Sequence, residues 1–551
     1  MDTQYKSNTF LQDQKLRLLK PDLKQNEENK IKYELIDNLT KAYSLGDMNV
    51  YLPNFMELMW KQPKVVSKIL LNANNKEMSE HLSYFFCHNF YENILSPNYI
   101  EHNLLYLIAL MLKEELTDLY KKFPSEPVKC LELFLNNTPT GILLEQFQKK
   151  NDVQTFFNTI LLNIVKDLER SSSNREIIFD LNKIESKFKD KNIISDSRSQ
   201  SRNIEYNPSF VSLNYMNDFE FFNNYIINMD TNYFNEQINH CKNDKNVKIM
   251  EFFLYYLNMV EAEKKKNLYY TNIFENKNKG NPIDSETLDE YITNFEKTIN
   301  LINDLFKNLT DNLYLLPYSI KCICKIIFSI VHKNFKGFNF FHLNAFISKF
   351  FFEKLFSPIF QNPALGALIN SFIISTPTLK NLEEISKIIL MYTSGNLFPS
   401  NNKETEFYTP FNAYIIAKLQ DLFKFYEEIT KVELPLFIEK LINDELDEDY
   451  EYDFFKENPA EVVHHLSVCF NVDEIHTLLE VMEKNKKKIF NIPKGMEKDD
   501  KYKHLINLMK TFEKLQSKVC KESMKKARNK HEYETVKIPI YHKKKKRNKR
   551  I

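Results

Sequence analysis

An all-α fold is what this 551-residue sequence predicts, and three features predict it. Apolar residues recur at three- and four-residue spacing in segments of helical length, the period that lines one face of a helix. The Asn-Gly and Asp-Gly pairs that close tight hairpins are absent. Glycine is scarce, with 7 residues in all, so few positions adopt a positive φ without strain.

Taken in order, the helical stretches begin at VVSKILLN (65–72) and LLYLIALMLKEEL (104–116). The apolar run Leu104–Leu112 falls short of the roughly 18 apolar residues that a membrane span needs. In LELFLNNTPTGILLEQF (131–147) an apolar run stops at Asn136-Asn137-Thr138-Pro139-Thr140-Gly141, and a helical pattern then resumes. That is a short polar, proline-containing break between two buried segments. FFNTILLNIVKDLE (156–169), SIKCICKIIFSIV (319–331) and NLEEISKIILMY (381–392) complete the strong patterns. Polar stretches at 171–208 and 264–290 read as surface insertions between helices. The run Asp444–Asp453 is acidic and expected to be exposed. No repeat of solenoid length recurs.

Composition narrows the function. At 43% hydrophobic the chain can bury a large core, and its length suits two to four domains. A net charge of +1 argues against DNA as the main ligand. No G-x-x-x-x-G-K-[ST] or G-x-G-x-x-G is present, which argues against the common nucleotide-binding enzymes, and no cofactor is expected. The seven cysteines include no C-x-x-C pair, so reduced, buried thiols in a cytoplasmic protein are expected. The N-terminal residues lack the apolar centre of a secretory signal.

Candidate chemical groups fail on spacing. His464 and His465, read as adjacent helical residues, would point about 100° apart and could not share a metal. Cys322 and Cys324 sit two apart on a helix and suit core packing. Cys87-His88 has no partner that would make a nucleophile pair. Glu114 and Glu115 end an apolar helix and are expected on a solvated face rather than as an acid–base pair. No catalytic residue and no metal site are expected.

Four stretches taken together resemble the Ras-type GTPase-activating protein domain, including its IQGAP-like branch. The first is Leu133-Phe134-Leu135-Asn136-Asn137-Thr138, after an apolar helix with an acidic end. The second is Leu316-Pro317-Tyr318-Ser319-Ile320-Lys321-Cys322-Ile323-Cys324-Lys325. The third runs Phe352-Glu353-Lys354-Leu355-Phe356-Ser357-Pro358-Ile359-Phe360-Gln361-Asn362-Pro363, and the fourth Leu379-Lys380-Asn381-Leu382-Glu383-Glu384-Ile385-Ser386-Lys387. The resemblance covers about residues 100–400. It implies an all-α RasGAP-like helical domain there, with a helical N-terminal extension (1–99), a helical C-terminal extension (401–523) and a basic tail (524–551).

The resemblance also implies a function and a partner. Domains of this kind bind a Ras-superfamily small GTPase and lend an arginine on a protruding finger loop to the charge that develops on GTP, worth about 10³–10⁵ in rate. Matching LLEQF to the helix after the finger puts Leu135 at the finger position, with Asn136, Asn137 and Thr138 completing the loop. The arginine that steadies the finger aligns with Lys354, which keeps the charge and loses the planar fork. The sequence carries arginine only at 17, 170, 175, 198, 202, 528, 547 and 550, outside every matching motif. The expectation is therefore a GTPase-binding regulator or scaffold without arginine-finger catalysis, in which Leu135→Ala changes little and Leu135→Arg restores some rate. Alternatives are an active GTPase-activating protein with a non-standard finger and a helical scaffold with no GTPase. A non-standard finger would use Arg198 or Arg202, Asn136 or Asn137, or residues of the GTPase itself. Expected groove residues are Lys321, Lys325, Lys354, Pro358, Asn381 and Lys387. The run Lys543, Lys544, Lys545, Lys546, Arg547, Lys549 and Arg550 reads as a solvated terminus, a nuclear signal or a patch for anionic membrane.

Overall fold

The computed structural model describes residues 63–196, 285–446, 465–492, 503–522 and 533–539, with short gaps at 74, 91–96, 172–175, 336–337, 339, 364–373, 400–404 and 409, together with 239 and a few positions from 52 to 62. The basic run 543–550, most of the acidic run, most of residues 1–62 and residues 197–284 apart from 239 lie outside the described residues; of the predicted tail 524–551 only the strand segment 533–539 is described, and of the predicted polar insertion 264–290 only 285–290, which is helical. The chain divides into two compact units, one spanning Pro63–Glu451 and the other made of the sequence on either side.

The larger unit is helical, as predicted. It begins with α1 (Pro63–Leu71) and α2 (Lys76–Tyr84), then a π-helical turn at Phe85–Phe90. The 26-residue α3 (Pro97–Lys122) buries Leu105, Leu107, Ile108, Met111, Leu112 and Leu116. Next come α4 (Pro127–Leu133), α5 (Pro139–Glu145), α6 (Asn151–Ser171) and α7 (Leu181–Asp196). After residues 197–284, undescribed apart from 239, α8 (Ser285–Asp311) leads to α9 (Tyr318–Asn334), whose buried face includes Ile320, Cys322, Ile323, Cys324 and Ile327. Both cysteines are buried free thiols, as are Cys87 and Cys130. α10 (Phe340–Ser348) runs into a π-helical stretch at Lys349–Phe356 and then α11 (Ser357–Gln361). α12 (Thr376–Ser394) is capped by Ser375 and ends on Gly395, whose φ of 66° lets the Gly395 and Asn396 N–H groups close the last turn. α1 and α9 pack on α3, and α2 packs on α5.

The unit reaches beyond the predicted 100–400 limits because residues outside them fill its centre. α13 (Phe411–Ile429) sets Phe425 against Phe351 and Phe352, with ring centroids 5.7 Å apart in each pair. Tyr426 is buried beside them, and its hydroxyl donates to Thr393 O at 2.7 Å. The insertion expected to start at 171 also differs from the surface loop predicted. Residues 176–180 thread inward, burying Ile177 and Phe179, because Ile177 N–H donates to Asn381 Oδ1 at 2.6 Å and Asn294 Nδ2 donates to Ile178 O at 3.1 Å. Phe179 meets Phe411 edge-on at 5.1 Å.

In the smaller unit, β1 (His465–Asn471) and β2 (Tyr533–Pro539) pair antiparallel, from His465 opposite Pro539 to Asn471 opposite Tyr533. His465 therefore begins a strand and not a helix. Between the strands lie α15 (Val472–Lys484), α16 (Lys486–Ile489) and α17 (Lys503–Glu522), so no tight turn joins them and no hairpin signal marked the pairing. No described helix is long and apolar enough to cross a membrane.

In the larger unit α14 (Leu436–Asn443) is held at its C-terminal end by two lysines. Lys113 of α3 donates to Leu441 O at 2.6 Å, and Lys333 of α9 donates to Ile442 O at 2.8 Å. Both ammonium groups also pair with the Asp444 carboxylate. Cations there satisfy orphan carbonyls and face the negative end of the helix dipole. Hydrogen bonds from Lys113 and Lys333 hold the Asp444 carboxyl below its ordinary range. Its stabilisation is thus present above the unfolded aspartate pKa and is lost as pH falls through the lowered value. The Asp444 side chain is 64% exposed, so solvent screening limits the effect. Asp444→Asn is expected to cost about 0.5–1 kcal/mol at neutral pH. Urea midpoints of the two proteins should converge in acid, below the usual aspartate range.

Candidate functional site

α4 ends where Phe134 leaves helical geometry, at φ −58° and ψ 128°. Leu135 then takes φ 58° and Asn137 φ 54°, two left-handed residues within three positions. The chain re-enters a helix at once because Thr138 caps α5, its Oγ1 accepting the Gly141 N–H at 3.0 Å, and Pro139 presets the first turn. Asparagine tolerates the left-handed region through its short polar side chain, whereas leucine has no such compensation.

What holds Leu135 there is Glu115 of α3. Its Oε1 accepts the Leu135 N–H at 2.9 Å. The carboxyl is enclosed by the loop and α5, and burial pushes its pKa up. The Thr140 hydroxyl, the Leu135 N–H, the Thr138 hydroxyl and the Lys354 ammonium each oppose that shift by favouring the charged form. With its amide drawn inward, the Leu135 side chain is 0% exposed. Phe134 beside it packs on Phe346 at 5.1 Å. The Leu135 carbonyl sits directly over Gly141, where a Cβ would lie 2.3 Å from the oxygen. This close approach explains a glycine one turn into a helix in a chain that has so few.

Several expectations need correcting. Leu135, expected at the tip of a protruding finger, turns into the core. Glu115, expected on a solvated face with Glu114, has its carboxyl buried because the loop and α5 fold over it, while Glu114 is exposed. Asn381, expected to line a groove, is 0% exposed and accepts the Ile177 N–H, so no partner can touch it. Lys354 does come to the loop's supporting helix. Its side chain is 13% exposed and its Nζ lies 2.9 Å from Glu145 Oε1 on α5, while its carbonyl accepts from Gln148. It sits in the Lys349–Phe356 π-helical stretch, an arrangement found often at functional sites.

The remaining predicted residues spread over the unit. Pro358 is half-buried in the first turn of α11. Lys387 is exposed on α12 and pairs with Glu384 at 2.7 Å. Lys321 and Lys325 are half-buried on α9, Lys325 lying 5.7 Å from the Phe328 ring centre. At about 1.5 Å per residue, Lys321 lies roughly 18 Å along the helix from Lys333, which holds the end of α14. The Phe350–Phe352 run is wholly buried. Among the described residues no group of His, Cys, Asp and Glu could hold a metal ion.

Glu115 and Gly141 are the residues that sequence reading missed. The signal for Glu115 was its place three residues after Leu112, four after Met111 and four before Leu119, on the buried face of α3. Burial also overturns the expectation that Leu135→Ala changes little. Removing a fully buried leucine side chain is expected to cost about 2–4 kcal/mol. Gly141→Ala should cost about 1–3 kcal/mol, because the clash is with backbone. Thermal or denaturant unfolding of both variants measures these losses.

Comparison with known proteins accords with this geometry. The family model for GTPase-activator protein for Ras-like GTPase (RasGAP) matches residues 107–394, just over half of the chain, from α3 through α12. The Ras GTPase-activating-like protein rgaA of Dictyostelium discoideum is 26% identical over 140 residues, which is 25% of this chain and 16% of that relative. The chain thus aligns with less than a fifth of that relative's length. The matched region contains the α4–α5 loop, Glu115 and Lys354, and on this match the chain belongs to the RasGAP family.

Proposed function

We propose that this chain binds a Ras-superfamily GTPase as a regulator or scaffold and supplies no arginine finger. The observation that carries this reading is Leu135. It matches the finger position by motif alignment, has no charge, and is fully buried, with its amide bonded to Glu115. An arginine finger acts by placing a guanidinium beside the transferred phosphoryl group. A leucine side chain in the core can do neither the charge neutralisation nor the hydrogen bonding. Lys354 does not replace it, since its ammonium is engaged with Glu145.

The family's shape is kept while this one element is lost. The Lys354–Glu145 pair, the capped start of α5 and the Phe134–Phe346 contact hold the loop against α10 and the π-helical stretch. A retained scaffold supports retained recognition. The low identity to the one relative described leaves the choice of GTPase open to experiment.

The test is affinity by nucleotide state. Titration of this protein against Ras-superfamily GTPases loaded with a non-hydrolysable GTP analogue or with GDP is expected to show preferential binding of the GTP-like form by at least one of them. Equal absence of binding in both states across the superfamily would overturn the reading.

A further inference from the structure

The loop between α4 and α5 sorts its side chains by backbone conformation. Leu135 is pulled inward through its amide to Glu115. Asn136 is exposed but occupied, its Nδ2 donating to Glu132 O at 3.1 Å and its N–H to Leu133 O at 3.1 Å. Thr138 is spent as the cap of α5. Asn137 remains. It is exposed, left-handed at φ 54°, and its carboxamide has no hydrogen-bond partner among the described residues. Asparagine suits that conformation, so the turn both accepts Asn137 and displays it.

We infer that Asn137 is the contact group this loop offers a bound GTPase, and that Glu115 is the positioning residue that sets it there by holding Leu135 inward. The inference rests on the GTPase-binding reading above and names the contact it uses. In a loop that presented residue 135, the outward side chain would be the first left-handed residue. Here the Glu115 bond fixes that residue toward the core, and the chain's reversal brings the second left-handed residue to the outside. A carboxamide offers two N–H donors and one acceptor with no charge. It suits a partner's main-chain groups or a phosphate oxygen, and it contributes recognition without the charge neutralisation that turnover requires.

The test uses the full chain and the GTPase that it binds best in the GTP-like state. Asn137→Gly keeps the left-handed backbone and removes the carboxamide. It is expected to leave the unfolding midpoint and Leu135 amide exchange unchanged and to weaken binding about three- to tenfold, the range for one neutral hydrogen bond. Glu115→Met, which removes the acceptor and keeps an unbranched side chain, is expected to speed exchange at the Leu135 amide and to weaken binding. The double variant should bind no worse than Asn137→Gly alone, because both substitutions act through one contact. Wild-type affinity in Asn137→Gly, or losses that simply add in the double variant, would overturn this inference while leaving the GTPase reading intact. Absence of binding by the wild-type chain to every GTPase tested would overturn both.

Discussion

A single hydrogen bond, from the Leu135 amide to the carboxylate of Glu115, organises the loop between α4 and α5. Leucine does not enter the left-handed region without compensation, since its Cβ then crowds the backbone. The Glu115 acceptor supplies that compensation through its hydrogen bond to the Leu135 amide. The bond has a cost as well. It requires a carboxylate to remain beneath a loop, and burial disfavours the charged form. The nearby hydroxyls and the Lys354 ammonium offset part of that penalty. Leu135 burial, the close approach over Gly141 and the exposure of Asn137 all follow from where that amide points.

The scaffold beneath the loop is held together by contacts distributed along the chain. Lys354 reaches Glu145 from a π-helical stretch whose neighbouring phenylalanines, 350–352, are fully buried. Those rings are completed from outside the matched region, by Phe425 and Tyr426 of α13. α14 is then fixed to α3 and α9 through Lys113, Lys333 and Asp444. The same α3 supplies Glu115 to the loop and Lys113 to this clamp, three and one positions after Leu112. α13 and α14 thus belong to the same compact unit as the loop.

Much of this was legible in the sequence, and the failures have physical causes. Helical periodicity identified α3, α6, α9 and α12, and the Asn-Asn-Thr-Pro break located the loop and its cap. Motif order identified the family even though no matching motif holds an arginine. Side-chain direction within the loop was not legible, because a left-handed backbone at a non-glycine residue reverses which positions face out, and no residue type announces it. Asn381 was misplaced because a buried asparagine that binds a backbone amide looks in sequence like one that lines a groove. The β1–β2 ladder escaped notice because it pairs segments far apart in the chain. Residues 176–180 were read as surface because their polar neighbours outweighed Ile177 and Phe179.

The most direct measurement is single-turnover GTP hydrolysis by the GTPase that this chain binds, with and without a saturating amount of the protein. With Leu135 buried and no arginine in any of the matched motifs, the rate is expected to stay within about twofold of the intrinsic value, against the 10³-fold or more that a supplied finger gives. Acceleration approaching that 10³-fold scale would contradict the central claim.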